Sequence, residues 1–183
     1  MRHIRKHPVI IGLIVFLVLS VLFIAGYIDV NIRFPQPKEE LYEEGQWVDV
    51  SDGLKIMSTG IEYCTPDEYR AKYDSSLKEG SKLCYILVHL KVKNNTNDVI
   101  DFFINTMKYN LVIYPSGYEN QAMPLDDNTL VKSGEVKDIT LVYNVSESLI
   151  WSSRRDKVFK EDVYLCFKAY PVRQAIVFRG IDR

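Results

Sequence analysis

A chain of 183 residues, 47% of them apolar and with a net charge of −1, is long enough for one domain with a sizeable core. Twelve tyrosines and eight phenylalanines suit β-structure and argue against disorder. The near-neutral balance has no basic block, which argues against nucleic acid as a partner.

The first eight residues, Met-Arg-His-Ile-Arg-Lys-His-Pro, carry Arg2, Arg5 and Lys6 and no acid. Val9 to Ile28 then runs without a charge, interrupted only by Gly12, Ser20 and Gly26 among bulky apolar side chains. At about 1.5 Å per residue such a helix spans roughly 30 Å, the thickness of a bilayer's hydrocarbon core. The run has no polar face, which excludes an ordinary core helix. A cleaved signal peptide is the competing reading, but its apolar region is shorter, about 7 to 15 residues, and Phe23-Ile24-Ala25-Gly26-Tyr27 lacks a small-x-small site. No cysteine follows for lipid attachment. Residues 9–28 therefore read as a single transmembrane helix, with the lipid bilayer as its partner. The basic flank places the N-terminus in the cytoplasm and everything after Asp29 outside.

Residues 29–46 hold two prolines and four glutamates and read as an extracellular stalk, semi-rigid near Pro35-Gln36-Pro37. The domain is expected over 47–183. Residues 29–183 carry a net charge of −4, 20 bases against 24 acids. Trp47 to Val50 reads as a short strand, Ser51-Asp52-Gly53 as a turn, and Leu54 to Tyr63 as the first long strand. Thr65-Pro66-Asp67-Glu68 is a helix start, with Thr as N-cap, Pro in the first turn and Glu closing a capping box. Tyr69, Tyr73 and Leu77 recur every four residues up to Gly80, so a short helix is predicted.

Leu83 to Asn95 is the most regular strand. Cys84, Ile86, Val88, Leu90 and Val92 fall on one face, and Leu83, Tyr85, Leu87, His89, Lys91 and Lys93 on the other. It ends in Asn94-Asn95-Thr96-Asn97-Asp98, which favours a turn. Strands follow at Val99 to Ile104, Met107 to Tyr114 and Tyr118 to Met123, with a hairpin at Pro115-Ser116-Gly117. Pro124 to Lys132 is a polar loop. Val136 to Val145 places Ile139, Leu141, Tyr143 and Val145 on one face. Ser146 to Asp162 is mixed, with one helical turn around Trp151. Val163 to Tyr170 and Ala175 to Phe178 finish the chain, Pro171 marking a bend. Some seven strands at this spacing imply an all-β sandwich.

The run Tyr85 to Ile100, an apolar strand ending in Lys93-Asn94 and closing on Asp98, resembles a motif of exported bacterial domains. Asn110 to Gly117 with Tyr118, and Ser133-Gly134-Glu135 before Ile139 to Val145, continue the pattern. The chain is similar over about residues 54–179 to immunoglobulin-like ectodomains of Gram-positive membrane-anchored proteins and lipoproteins, catalogued as domains of unknown function. The resemblance implies an immunoglobulin-like antiparallel β-sandwich and carries no catalytic residues; the helix at 65–80 is atypical of it.

Cys64, Cys84 and Cys166 lie in the exterior part, where disulfides persist. If the two long strands pair antiparallel, the ends at Cys64 and Cys84 are neighbours, and a bridge would stabilise by roughly 3 kcal/mol. A Cys84–Cys166 pair and three buried thiols are the alternatives. An enzyme reading is a sortase-like cysteine transpeptidase, with Cys166 as nucleophile, His89 as proton donor and Arg173 at the oxyanion. Val163-Tyr164-Leu165-Cys166 lacks the approach sequence of sortases, and nothing around His89 resembles their histidine motif. One exterior histidine gives no zinc spacing, and Asp126-Asp127-Asn128 lacks a calcium pattern, so neither metal nor cofactor is expected. The leading expectation is a non-enzymatic binding or accessory module of the bacterial envelope, with a protein or cell-wall partner; a purely structural component is the other alternative. Contact is expected from the 65–80 helix, the 115–135 loops or the 146–162 segment.

Overall fold

In the computed structural model the apolar run forms one long helix that is not buried against the rest of the protein. The structure describes residues 6–34, 38–51, 53–76, 83–106, 108–113, 118–146 and 160–180. The chain divides into two compact units, Met1–Pro37 and Lys38–Arg183. In the first, helix α1 (Lys6–Arg33) contains a stretch, Ile10–Arg33, long and apolar enough to cross a membrane, with none of its most apolar part buried. It continues five residues past the expected end at Ile28. Asp29 and Arg33, paired at 3.0 Å one turn apart, support that last turn.

The expected stalk is not a stalk. Lys38–Glu43 form strand β1, which pairs parallel with the chain's last strand, β11 (Val172–Phe178), in the register Lys38↔Val172 to Glu43↔Val177. The domain therefore begins at Lys38 rather than at Trp47. Composition misleads here because an edge strand is made of the same charged residues as a spacer.

Between these two come β2 (Val48–Ser51), β3 (Leu54–Cys64), helix α2 (Pro66–Lys72), β4 (Leu83–Asn94), β5 (Ile100–Asp101), helix α3 (Phe102–Thr106), β6 (Asn110–Ile113), β7 (Tyr118–Pro124), β8 (Leu130–Val131), β9 (Val136–Ser146) and β10 (Val163–Lys168). Nine strands run in the order β1-β11-β10-β6-β7-β9-β4-β3-β2, while β5 and β8 form a separate small sheet. Strand β7 pairs with β6 through Tyr118–Gln121 and with β9 through Ala122–Pro124, so it turns the corner between two layers. The fold is the expected β-sandwich. Among the described residues all strand pairs are antiparallel except β1–β11.

The inner face of β4 behaves as its alternation predicts. Cys84, Ile86, Val88, Leu90 and Val92 join Ile139, Leu141, Tyr143 and Val145 of β9 in the main core. Leu165, Ile176 and Phe178 close it from the other layer. Residues 99–104, expected as a strand, hold only two strand residues before α3. The cause is Asp101, whose carboxylate accepts from the Phe103 amide at 3.0 Å and from Thr129 Oγ1 at 2.7 Å. This caps the helix and breaks the strand. The hairpin tip at 115–117, Leu77 to Gly80 and the region around Trp151 lie outside the described residues.

Strand directions define two ends of the domain. Strands β1, β11, β6, β9 and β3 start at one end, where β10, β7, β4 and β2 finish. We call it the entry end, because Lys38 lies there. It is braced by Asn94, fully buried. Asn94 donates from Nδ2 to the carbonyls of Asp98 (2.7 Å) and Val131 (3.0 Å). Its Oδ1 accepts from the amide and hydroxyl of Thr96 at 2.9 and 2.7 Å. Gly53, at φ +78°, packs so tightly under this turn that a Cβ would lie 2.5 Å from the Thr96 methyl.

Candidate functional site

Parity along β3 and β4 places Glu62, Cys64, Tyr85, Leu87 and His89 on the outward face of their sheet, and α2 is laid across it. The helix starts as expected: Thr65 accepts from the Glu68 amide while the Glu68 carboxylate accepts from the Thr65 amide at 2.8 Å. Tyr69 on α2 stacks on Tyr85 at 4.0 Å with the rings 9° from parallel. Cys64, Tyr85, Leu87 and Val142 form a second small core under Tyr69. The outward face of β4 is therefore half buried, which its alternation alone does not show.

Glu62 is the hub of the polar contacts here. It accepts from Lys72 Nζ at 2.6 Å, Tyr73 Oη at 2.8 Å and Cys64 Sγ at 3.4 Å. His89 Nε2 lies 3.8 Å away, and its Nδ1 is 3.0 Å from Thr140 Oγ1. The Lys72 hydrogen bond is the main cause that holds the Glu62 carboxyl down at about 2. Burial, then the Glu62 carboxylate, pushes the Cys64 thiol up to about 11. At neutral pH Cys64 thus stays protonated and Glu62 stays charged and saturated with donors. The arrangement fastens α2 to the sheet, and it offers neither a thiolate nor a poised base.

This contact predicts a pH dependence. A carboxyl lowered from 4.5 to about 2 on folding contributes stability that is fully present above pH 4.5 and lost as pH falls toward 2. With its side chain 28% exposed, solvent screening leaves about 1–2 kcal/mol. Urea denaturation at pH 7 and pH 3 should show the wild type losing roughly 1 kcal/mol more than Glu62→Gln, a little over half of the full effect because pH 3 is still above the folded value of about 2. Equal losses in both would remove Glu62 from the account.

The remaining expected residues are placed as follows. The structure contains no Cys64–Cys84 bridge: all three cysteines are buried and unbridged. Cys64 pairs across the ladder with Tyr85, so Cys84, the residue before Tyr85, points to the opposite face. There its thiol donates to the Val145 carbonyl at 3.3 Å in the main core. Cys166 also stands apart from Cys84. It lies on the outward face of the other layer with Val112 and Ala175.

The structure does bring Cys166 and Arg173 together. Arg173 Nη2 donates to Cys166 Sγ at 3.4 Å, Nη1 donates to Glu39 at 2.8 Å, and the guanidinium carbon stands 5.8 Å from the Tyr164 ring centre. It does not bring His89 to them. His89 is on β4 and Cys166 on β10, with β6, β7 and β9 between them in the sheet order. The nucleophile–base contact of the sortase-like reading is absent, and that reading has no support. Among the described residues no group of three His, Cys, Asp or Glu side chains is placed to hold a metal ion. A shallow open cleft of about 350 Å³, lined by Asp49, Val50, Ser51, Gly53, Lys168 and Gln174, lies between the β2–β3 and β10–β11 turns. Its Asp49 is paired with Lys55 at 3.1 Å.

The sequence reading missed Glu62 as a hub and Asn94 as a buried brace. Glu62 carried one signal, since it shares strand parity with Cys64, two residues on. Asn94 carried none, because turn clusters are ordinarily exposed.

Residues 39–174 match the family described as a domain of unknown function, DUF5028. The chain belongs to that family. The match begins inside β1, in keeping with a domain that starts at Lys38. No curated protein matches the chain. Among solved structures the DUF5028 domain is similar to an uncharacterized β-sandwich protein of Clostridium difficile. That match has 17% identity and TM-score 0.51, and covers 79% of this chain and 97% of the other. A functionally unknown protein of Listeria monocytogenes matches at 10% identity and TM-score 0.45, covering 74% and 82% of the two chains. A protein of Bacillus anthracis matches at 12% identity and TM-score 0.45, covering 73% and 94%. The first of these shows that the DUF5028 domain shares the fold of that β-sandwich protein.

Proposed function

We propose that the protein is a single-pass membrane protein of the Gram-positive cell envelope, with its N-terminus in the cytoplasm and its DUF5028 domain outside. There the domain serves as a non-enzymatic binding or accessory module. The observation that carries this is α1: Ile10–Arg33 is long and apolar enough to cross a membrane, and none of its most apolar part is buried in protein. Exposed to water, such a surface would be strongly unfavourable. Arg2, Arg5 and Lys6 precede it, which supports the orientation. Saturated partners around Glu62 and the separation of His89 from Cys166 support binding rather than catalysis.

The test uses the full chain carrying one epitope at each end, expressed in a Gram-positive host. The protein should stay in the membrane through carbonate washing. Protease added to protoplasts should remove the C-terminal epitope and spare the N-terminal one. Release by carbonate would overturn the anchor, and the opposite protection pattern would overturn the orientation.

A further inference from the structure

Strand β7 joins the two layers on one side of the sandwich, whereas on the other side β1 and β2 are the free ends of the strand order. On that open side, at the entry end, the cleft of about 350 Å³ separates Asp49, Val50, Ser51 and Gly53 from Lys168 and Gln174. Val50, which packs against the main core, is the one apolar side chain in this lining. The volume lies at the small end of the range of about 300–1,000 Å³ that holds small ligands. So polar and open a site gains little from apolar burial, and a ligand here must be held by hydrogen bonds.

Hydrogen-bonding capacity is left over on both walls. Among the described residues the Ser51 hydroxyl and the Lys168 ammonium have no protein partner. Gln174 uses one amide hydrogen on Glu40 at 2.6 Å, which leaves its second hydrogen and its carbonyl oxygen. Asp49, held by Lys55 at 3.1 Å, keeps lone pairs for further donors. The charges around the cleft cancel, Asp49 and Glu40 against Lys55 and Lys168. Both walls are fixed in advance, which lowers the ordering cost of binding. The Asn95 amide donates to the Gly53 carbonyl at 2.7 Å on one side. On the other, Tyr42 packs on Phe167 and donates to Glu40 at 3.2 Å. Tyr170, 74% exposed, stands in the turn between Lys168 and Gln174 and offers an aromatic face there.

We infer that this cleft binds an uncharged, hydroxyl-rich ligand of the size of one sugar ring. Each hydroxyl both donates and accepts. That matches walls that carry a carboxylate and an amide oxygen as acceptors, with an ammonium and an amide hydrogen as donors. A charged ligand would unbalance the cancelled charges, and an apolar one would leave the polar groups without water or partner. With a few hydrogen bonds and little apolar burial, the dissociation constant is about 1–10 mM.

This inference gives the proposed binding module a ligand class and rests on that reading. The isotopically labelled full chain is titrated in dodecylphosphocholine micelles, whose headgroup carries no sugar, with glucose, mannose and N-acetylglucosamine. Amide shifts are followed by NMR. At least one of these neutral sugars should give saturable shifts at Ser51, Gly53, Lys168 and Gln174, and leave Tyr85 and Leu87 beneath α2 unmoved. Ser51→Ala and Lys168→Ala remove exposed side chains without a protein partner, so the remaining spectrum should keep its positions. Each should weaken binding about 3–10-fold. Shifts that fail to saturate by about 100 mM with all three sugars would overturn the site, as would unchanged dissociation constants in both variants. Glucuronate or glucosamine binding as tightly as the neutral sugars would overturn the uncharged class. A failed titration leaves the anchored module with a protein partner, because carbonate washing and protease protection test that reading separately.

Discussion

Replacing Asn94 by alanine should lower the unfolding free energy of residues 38–183 by about 3–4 kcal/mol, a fall readable in urea denaturation. Asn94 is fully buried and uses both ends of its amide, donating to Asp98 and Val131 and accepting twice from Thr96. Each such bond is worth about 1 kcal/mol net, and the carbonyls left behind lose a donor where water has poor access. The loss propagates, because the main chain around Asn94 ties three turns together. Its amide donates to Glu135, its carbonyl accepts from Gly134, and the Asn95 amide donates to Gly53. Asn94→Asp is the sharper variant. It keeps the acceptor side for Thr96 but turns a carboxylate oxygen toward two carbonyls, so it should cost at least as much as alanine. A loss below about 1 kcal/mol for either variant would show that the turns hold without the brace.

The second large effect concerns where the domain begins. A fragment of residues 38–183 should be monomeric and unfold cooperatively, whereas residues 47–183 should lose about 3 kcal/mol and self-associate. Shortening to Trp47 removes Tyr42, which packs on Phe167 with ring centres 6.1 Å apart and contributes about 2 kcal/mol by burial. It also removes the Glu39–Arg173 and Glu43–Arg179 pairs at 2.8 and 3.1 Å, each worth at most about 1 kcal/mol at the surface. The Glu40–Gln174 hydrogen bond at 2.6 Å goes with them. More serious is the ladder of β11 that is uncovered. Ala175, Ile176, Val177 and Phe178 are all buried in the intact domain, and an unpaired apolar edge recruits other chains. Analytical ultracentrifugation and thermal melts of the two fragments would decide the matter. Equal stability and a monomeric 47–183 would restore the boundary that composition suggests.

Together these effects describe a domain whose entry end is built with care. The brace, the cap on α3 and the start of the paired first strand all act there. The far end, with α2 and the Glu62 contacts, is fastened by electrostatics that acid weakens.

Local signals were sufficient for part of this molecule. The uncharged, largely apolar run over Val9–Ile28 determined a helix long and apolar enough to cross a membrane, because no charged or periodic polar residue breaks it. Period-two alternation determined the inner faces of β4 and β9, and Thr65-Pro66-Asp67-Glu68 determined the start of α2 through bonds made within four residues. What tertiary structure alone decided depends on distant pairing. Strand β1 exists because it pairs along β11, more than 130 residues away, in the register Lys38↔Val172 to Glu43↔Val177, and its own charged sequence gives no strand signal. Leu87 is buried on the outward face because α2 folds over it. Cys64 and Cys84 diverge because ladder register sets Cys64 opposite Tyr85, and a shift of one residue reverses the face. Those contacts are non-local, so no window of sequence contains them.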